Sequence, residues 1–207
     1  MLPVHIYSKF VQVSLLSLYV TILLVSCAPK TSEQCLKKVQ WTFSAQKKEA
    51  LYREAIALDS LNLQARYALA LAYHHPYDSV SIAISRKYLH EIIDIDSMQH
   101  VAWFWLCQSY KHINYYDSIS QTKYVKQSYL DSALAYINKA ISIYPYNGSY
   151  FYDRAYLTNN SNYNSSQYWS DLKRSYELGN WVAGFLIRNK ALNDMHAPMF
   201  NRVYDHQ

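Results

Sequence analysis

The sequence predicts an all-α domain built from successive helix pairs. Glycine and proline, which are common in the turns of β proteins, occur only 3 and 5 times in 207 residues. Between Tyr129 and Tyr144 the apolar residues recur every three or four positions, as on one face of an α-helix; they are Leu130, Leu134, Ile137 and Ile141. This pattern returns along the chain. Because one helix pair cannot bury its own apolar stripe, neighbouring pairs are expected to stack.

The N-terminal residues have the organisation of a bacterial export signal. Lys9 provides a basic flank, and residues 10–25 are almost uncharged and rich in Leu, Val and Ile. The motif Leu-Val-Ser-Cys at 24–27 resembles the lipobox of bacterial lipoproteins. The resemblance implies a lipoprotein signal peptide over residues 1–26, cleavage before Cys27, and a diacylglyceryl group on the Cys27 sulfur as the lipid anchor.

Two other interpretations of this segment stay open: a plain transmembrane anchor and an ordinary signal peptide. The apolar run is barely long enough to cross a bilayer, and no cluster of Lys or Arg follows it directly. The residue after Cys27 is Ala28 rather than Asp, which by the same resemblance favours the outer membrane. We therefore expect a lipid-anchored protein of the bacterial cell envelope, held in the outer membrane by two or more acyl chains.

Beyond the signal, the sequence divides into a lipid-anchored tether or partial first helix at 27–45, a repeat domain at 46–190 and a C-terminal tail at 191–207. Removal of residues 1–26 takes away Lys9 and lowers the formal net charge from +5 to +4. The remaining charges are scattered rather than gathered in one stretch, so nucleic acid is not an expected partner.

The clearest repeat lies in the middle of the domain. The residues from Trp103 to Tyr110, WFWLCQSY, match the pattern W-x2-L-G-x2-Y with Cys107 in place of Gly. Further on, four residues fall at the spacing A-x3-F-x2-A-x4-P; they are Ala133, Ile137, Ala140 and Pro145. Both patterns resemble the tetratricopeptide repeat (TPR), a 34-residue helix–turn–helix unit. Weaker copies give one equivalent position, at spacings of 37, 48 and 35 residues, to Ala55, Ile92, Ala140 and Ser175.

The resemblance implies a TPR-like solenoid of about three to four helix pairs wound as a right-handed superhelix. It places an insertion near 112–127 and a final helix at 181–190. It also implies small residues where the two helices of a pair come closest; they are Ala70, Cys107 and Ala155. A generic helical bundle with accidental spacing is the alternative.

A binding surface follows from the same resemblance. In TPR proteins, positions 2, 5, 9, 12 and 13 of the first helix of each pair face a concave groove that binds peptides. On this chain the corresponding residues are Gln64, Tyr67, Leu71, His74 and His75; Val101, Phe104, Gln108, Lys111 and His112; and Ser149, Tyr152, Tyr156, Asn159 and Asn160. Aromatic rings beside amide and cationic groups can hold an extended or helical peptide. Alternatively, the aromatic residues pack between neighbouring helices.

Sequence motifs for catalysis and for cofactors are absent. The chain contains no GxSxG, phosphate-loop, GxGxxG, HExxH or CxxC motif. No enzyme activity, catalytic residue, metal site or cofactor is therefore expected.

The function predicted from these patterns is that of a membrane-anchored scaffold for a protein or peptide partner. Two alternatives stay open. One is a subunit of a larger envelope assembly, bound through its convex face or through 112–127. The other is an accessory lipoprotein that binds a small ligand or glycan, since Tyr is unusually frequent with 22 residues.

The cysteines other than Cys27 are expected to be unpaired. The periplasm permits a disulfide between Cys35 and Cys107. However, Cys35 falls in the expected tether and Cys107 in a predicted helix core, so a buried thiol is the simpler prediction for Cys107.

Asp-Ser followed by an apolar residue occurs five times, beginning at Asp59, Asp78, Asp96, Asp117 and Asp131. The triplet resembles the acceptor for O-glycosylation of exported proteins in some Gram-negative bacteria. The same residues also suit helix starts and turns, because their side chains accept hydrogen bonds from nearby backbone amides.

Overall fold

The computed structural model describes residues 30–75, 78–119, 127–159 and 166–190, with only the backbone described for 112–119, 127 and 159. Throughout these ranges the regular structure is helical and includes no strand. The helices are α1 (Ser32–Gln40), α2 (Ala45–Leu58), α3 (Leu63–Ala72), α4 (Ser79–Ile95), α5 (His100–Ile119), α6 (Gln127–Ile143), α7 (Gly148–Asn159), α8 (Ser166–Glu177) and α9 (181–190). The predicted all-α class is confirmed.

Some sequence predictions fall on other parts of the chain. The signal peptide 1–26, the anchor Cys27 and the tail 191–207 lie outside the described residues. Among the helices of the described ranges, none combines the length and the apolar character that a membrane crossing requires.

The described residues fall into two compact units, divided between Asn62 and Leu63. In the first unit, α1 lies within the segment 27–45 and packs against α2. Thr31 begins α1 with a capping box, in which its hydroxyl and the Gln34 side chain each accept the other residue's backbone amide. Cys35 is completely buried at this helix–helix contact, so it is a core residue of a helix rather than part of a loose tether.

In the second unit, α3 packs with α4, α5 with α6, and α7 with α8. The small residues expected at the closest approach are Ala70, Cys107 and Ala155, and none of them is more than 1% exposed. The Ser85 hydroxyl of α4 donates to the Ala70 carbonyl of α3 over 2.7 Å. A larger side chain at these positions would separate the two helices of the pair.

The second helices also carry an equivalent buried position. Ala55, Ile92, Ala140 and Ser175 are each completely buried. The apolar stripe predicted for α6 faces a core shared by α5, α6 and α7. The predicted helix periodicity therefore matches the burial pattern, while the TPR superhelix itself stays a prediction.

Asx turns connect the helices. The side-chain oxygens of Asp59, Asp78, Asp96, Asn147 and Asn180 each accept a hydrogen bond from the backbone amide two residues later, over 2.9 to 3.1 Å. Three of these aspartates belong to the Asp-Ser triplets, and in those three the Asp side chain has a structural role.

The first helix of the middle pair, α5, is longer than the first helices of the neighbouring pairs. Helix α5 runs for 20 residues, compared with 10 for α3 and 12 for α7. The insertion predicted near 112–127 therefore begins as a continuation of α5 through Ile119, and α6 begins at Gln127.

Candidate functional site

The first helices of the three pairs, α3, α5 and α7, are joined by side-chain contacts. The His74 ring, in the segment that follows α3, meets the Trp105 ring of α5 edge-on, with centroids 4.9 Å apart. The Phe104 ring of α5 stacks on Tyr150 of α7, with centroids 5.0 Å apart. The residues predicted to line a groove therefore belong to one continuous surface, which we call the α3–α5–α7 face.

The predicted residues that lie within each helix form one stripe. With Leu63, His100 and Gly148 counted as position 1, positions 2, 5, 9 and 12 fall within an arc of about 80° on an α-helix. His74, at position 12 of the first set, lies beyond the end of α3 at Ala72. Position 2 is exposed on all three helices, where it is occupied by Gln64, Val101 and Ser149. This position is open to a partner in every pair.

Apolar side chains are exposed along the stripe. Leu71 and Tyr156, both at position 9, are 45% and 46% exposed, and Val101 is 37% exposed. Exposed apolar groups such as these gain free energy when a partner covers them.

The aromatic residues at position 5 are half-buried and contribute to packing. Phe104 stacks on Tyr150, and Tyr152 packs against the core formed by α7, α8 and α9. Burial raises the pKa of the Tyr67 hydroxyl to about 12, against a smaller opposite effect from the Ala102 backbone. Packing between helices is therefore one role of these rings, and they form the base of the face rather than its rim.

The polar residues at positions 9 and 12 of α5 are already engaged. The Gln108 amide donates to Asp153 Oδ2 over 2.6 Å, and Lys111 forms an ion pair with Asp153 Oδ1. The Lys111 ammonium also lies 4.6 Å from the centre of the Tyr156 ring. Since Asp153 is only 6% exposed, this carboxylate holds both partners in place and reduces the charge that a ligand would meet.

Asp153 was missed by the sequence prediction. In the repeat register Asp153 of α7 is equivalent to Trp105 of α5. A carboxylate in place of an aromatic ring at this position was therefore the signal that the sequence offered. The remaining predicted residues of the stripe are less informative. His75 is exposed, whereas Asn160 and the side chains of His112 and Asn159 lie outside the described residues.

A second surface feature lies at the turns that precede α7 and α9. Tyr144, Tyr146 and Trp181 line an open cleft of about 560 Å³, together with Ser149 and Asn180. Its three rings are 41%, 67% and 78% exposed, respectively. The volume lies within the range of small-ligand sites.

The rings of this aromatic cleft are supported from behind. His100 stacks on Tyr144 with centroids 4.6 Å apart, and its Nδ1 lies 2.7 Å from the Tyr150 hydroxyl. Tyr144 in turn meets Tyr146 edge-on, at 5.7 Å. The sequence reasoning missed this cleft, although the Tyr-Pro-Tyr segment at 144–146 and Trp181 after the next turn were visible signals.

Arg86 connects the second helix of one pair to the next pair. Its guanidinium lies 3.6 Å from the centre of the Tyr110 ring and donates to the hydroxyl and the carbonyl of Ser109, each over 3.0 Å. Burial lowers its pKa, and within the described ranges no carboxylate pairs with it. This contact fixes α4 against α5 through aromatic stacking and hydrogen bonds.

Within the described residues, no group of three or more His, Cys, Asp or Glu side chains is arranged to hold a metal ion. Comparison of the chain with protein-family models gives no match, and comparison with curated proteins gives none either.

Proposed function

We propose that this chain is a lipid-anchored helical-repeat scaffold of the bacterial cell envelope that binds a protein or peptide on its α3–α5–α7 face. The observation that carries the proposal is the exposure of one apolar side chain on the predicted stripe of each of the three first helices; they are Leu71, Val101 and Tyr156. Protein-binding surfaces commonly combine exposed apolar groups with polar groups at their edge.

The chemistry of the face favours an apolar segment as the ligand. The half-buried rings at position 5 form a rigid base, and Gln64 and Ser149 offer exposed hydrogen-bonding groups. Because Asp153 neutralises Lys111, charge contributes little to recognition there. An extended or helical segment that places apolar side chains against Tyr156 and Leu71 fits this arrangement.

The anchor part of the proposal depends on Cys27. Replacement of Cys27 by Ser is expected to leave an unprocessed precursor or to release the protein from membranes. Metabolic labelling with a palmitate analogue, followed by a gel shift, measures this directly. Equal labelling of the Cys27→Ser variant would contradict lipidation at this residue.

Binding on the face can be tested after a partner is identified by affinity purification from native membranes and mass spectrometry. Tyr156→Ala is expected to weaken binding by about 1–3 kcal/mol, as for an anchor residue of an interface. Its melting temperature should change little, because Tyr156 is half exposed. Tyr146→Ala is the matched control, since Tyr146 is at least as exposed but lies in the aromatic cleft.

The assembly-subunit alternative has a separate signature. Deletion of 115–124 shortens α5 and removes much of the predicted insertion. Loss of the partner in this deletion, together with full binding by Tyr156→Ala, would move the contact away from the α3–α5–α7 face and favour the alternative.

The aromatic cleft supports a second candidate function, the binding of a glycan. Exposed Tyr and Trp rings can stack on the apolar face of a sugar ring, and Ser149 and Asn180 are polar groups for its hydroxyls. Titration with oligosaccharides, followed by Trp fluorescence, tests this function. Trp181→Ala should abolish any saturable response, while Tyr156→Ala should preserve it; no response to any oligosaccharide would leave only the first function.

A further inference from the structure

Two aromatic side chains project from the turn between α1 and α2. Trp41 is 82% exposed and Phe43 is 100% exposed. Full exposure of two large rings to water is unfavourable, and Trp in particular is concentrated at membrane–water interfaces. An isolated exposed ring is ordinary, but two rings separated by one residue in the same turn form a local apolar tip.

The backbone of this turn is fixed by hydrogen bonds. The backbone amides of Trp41 and Thr42 donate to the carbonyls of Lys38 and Val39 over 3.2 and 3.1 Å. The Thr42 hydroxyl donates to the Lys38 carbonyl over 2.8 Å. Ser44 then caps α2, accepting the Lys47 amide over 3.4 Å. These bonds hold the two rings outwards in the folded protein.

Lysines flank the aromatic tip on both sides along the chain. Lys37 and Lys38 lie in the last turn of α1, where cations interact favourably with the helix dipole. Lys47 and Lys48 lie in the first turn of α2, where cations are unfavourable and where no acidic residue is present. The second pair therefore lowers the stability of its own helix, which points to a role outside the fold.

The acidic residues near the turn do not neutralise all four lysines. Glu33 pairs with Lys37 over 2.8 Å, Glu49 pairs with Arg53 over 2.9 Å, and Glu54 pairs with Lys30. The turn thus combines an apolar tip with a surplus of positive charge, which is the combination that binds an anionic lipid surface.

We propose that residues 41–44 insert their two rings into the interface of a phospholipid bilayer, while Lys37, Lys38, Lys47 and Lys48 contact anionic headgroups. The chain length makes this compatible with an anchor at Cys27. The link from Cys27 to Lys30 spans at most about 10 Å. The nine residues of α1 add about 13.5 Å.

The two contacts would place α1 along the membrane surface, with acyl chains near its beginning and aromatic rings at its end. A lipid tether alone leaves a domain free to tumble, whereas a second contact fixes its orientation. Membrane docking by this turn rests on the proposed function only for the position of the anchor at Cys27. The rings and the lysines are features of the described structure.

The test uses the full chain reconstituted into vesicles of brominated phosphatidylcholine containing about 30% phosphatidylglycerol, an anionic lipid. Bromine atoms on shallow acyl positions quench the fluorescence of Trp rings that enter the interface. The wild-type protein should show a quenched component that disappears in Trp41→Phe. Trp181→Phe is the matched control, because Trp181 is 78% exposed and should leave the quenching unchanged.

The electrostatic part is tested by replacing Lys37, Lys38, Lys47 and Lys48 with Gln. Each lysine near an anionic surface should contribute about fivefold to the docking equilibrium, so quenching should fall strongly in this variant and in high salt. Replacement of the exposed Lys87, Lys139 and Lys173 with Gln removes similar charge elsewhere and should have no effect.

The outcomes separate this inference from the proposed anchor. Quenching that survives Trp41→Phe, or a firmly anchored protein without any quenching, would overturn membrane docking by the turn. Quenching that depends on Trp41 in a protein without palmitate label would instead contradict lipidation at Cys27 and retain the docking turn. Circular dichroism of each variant checks that the helices are intact.

Discussion

The helix pairs α5/α6 and α7/α8 have the same arrangement but different interiors. Leu106 of α5 is completely buried, whereas the equivalent residue of α7 is Arg154. Arg154 donates two hydrogen bonds to Asp171 of α8, over 2.9 and 2.7 Å, and Gln167 donates a third over 3.0 Å. Asp171 is only 2% exposed. One pair is therefore held by hydrocarbon contacts and the other partly by a buried ion pair.

This difference explains why the repeat of α5 and α6 matches the TPR-like pattern clearly, whereas the repeat of α7 and α8 matches it weakly. The small residues and the buried position on the second helix are kept in both pairs, so the helices approach each other in the same way. The charged Arg154 replaces an apolar residue at a position where the opposite charge of Asp171 is available on the neighbouring helix. A buried ion pair is costly to desolvate, so its main consequence is a strict requirement for both partners.

The largest expected effect is that of removing one charge from the ionic pair. Asp171→Ala should lower the free energy of unfolding by about 3–5 kcal/mol, because Arg154 is left in a poorly solvated position without its acid. Urea denaturation measures this. Glu177→Ala is the control, since the Arg174–Glu177 pair is nearly half exposed on both sides and should contribute at most about 1 kcal/mol. Equal effects of the two variants would remove the distinction between the pairs.

In the apolar pair, Leu106→Ala should cost about 2–5 kcal/mol through the cavity that it leaves. Leu61→Ala is the matched control, because Leu61 is 66% exposed and its removal should change stability by no more than about 0.5 kcal/mol. A melting curve of Leu106→Ala that coincides with the wild type would mean that the repeat register is wrong.

Ala140 tests the close approach of helices in the same pair. Ala140→Leu should destabilise the fold by about 1–3 kcal/mol, because the added carbons have no space at a completely buried position. Guanidinium denaturation gives the change in free energy. A neutral result would indicate that α6 can move away from its neighbours without loss.

Ser175 occupies the equivalent position of α8, where the smallest effect is expected. Its hydroxyl donates to the Gly148 carbonyl over 2.7 Å, so Ser175→Ala should cost about 0.5–1.5 kcal/mol, the value of one hydrogen bond. Differential scanning calorimetry can detect this. An unchanged melting temperature would show that the hydrogen bond is replaced when the hydroxyl is lost.

The sequence predicted those features that repeat along the chain. The apolar spacing of Leu130, Ile137 and Ile141 gave the buried stripe of α6, and the small residues gave the helix contacts. Interactions between distant residues have no such periodic signal. Asp153 meets Gln108 and Lys111 across 45 and 42 residues, and only the folded chain brings these groups together. The aromatic cleft was missed for the same reason, because Tyr144 follows α6 whereas Trp181 begins α9.

The length of α5 was also beyond prediction from the repeat alone. A 34-residue pattern contains no information about inserted residues, so the insertion near 112–127 could form either a loop or an extended helix–turn. The backbone continues the helix through Ile119. Helix continuation depends on neighbours and on local propensity together, and the repeat pattern reports neither.

Each of the two units contains one buried thiol, and the reactivity of that thiol reports on the opening of its unit. Cys35 of the first unit and Cys107 of the second are both unpaired and completely buried, and burial raises the pKa of each. An alkylating reagent reacts with exposed thiolate, so each cysteine is modified only during the moments when its helices separate. With Cys27 acylated as proposed, these are the two remaining thiols among the three cysteines of the chain. Their alkylation rates under native conditions would measure how often each unit opens, without any engineered reporter residue.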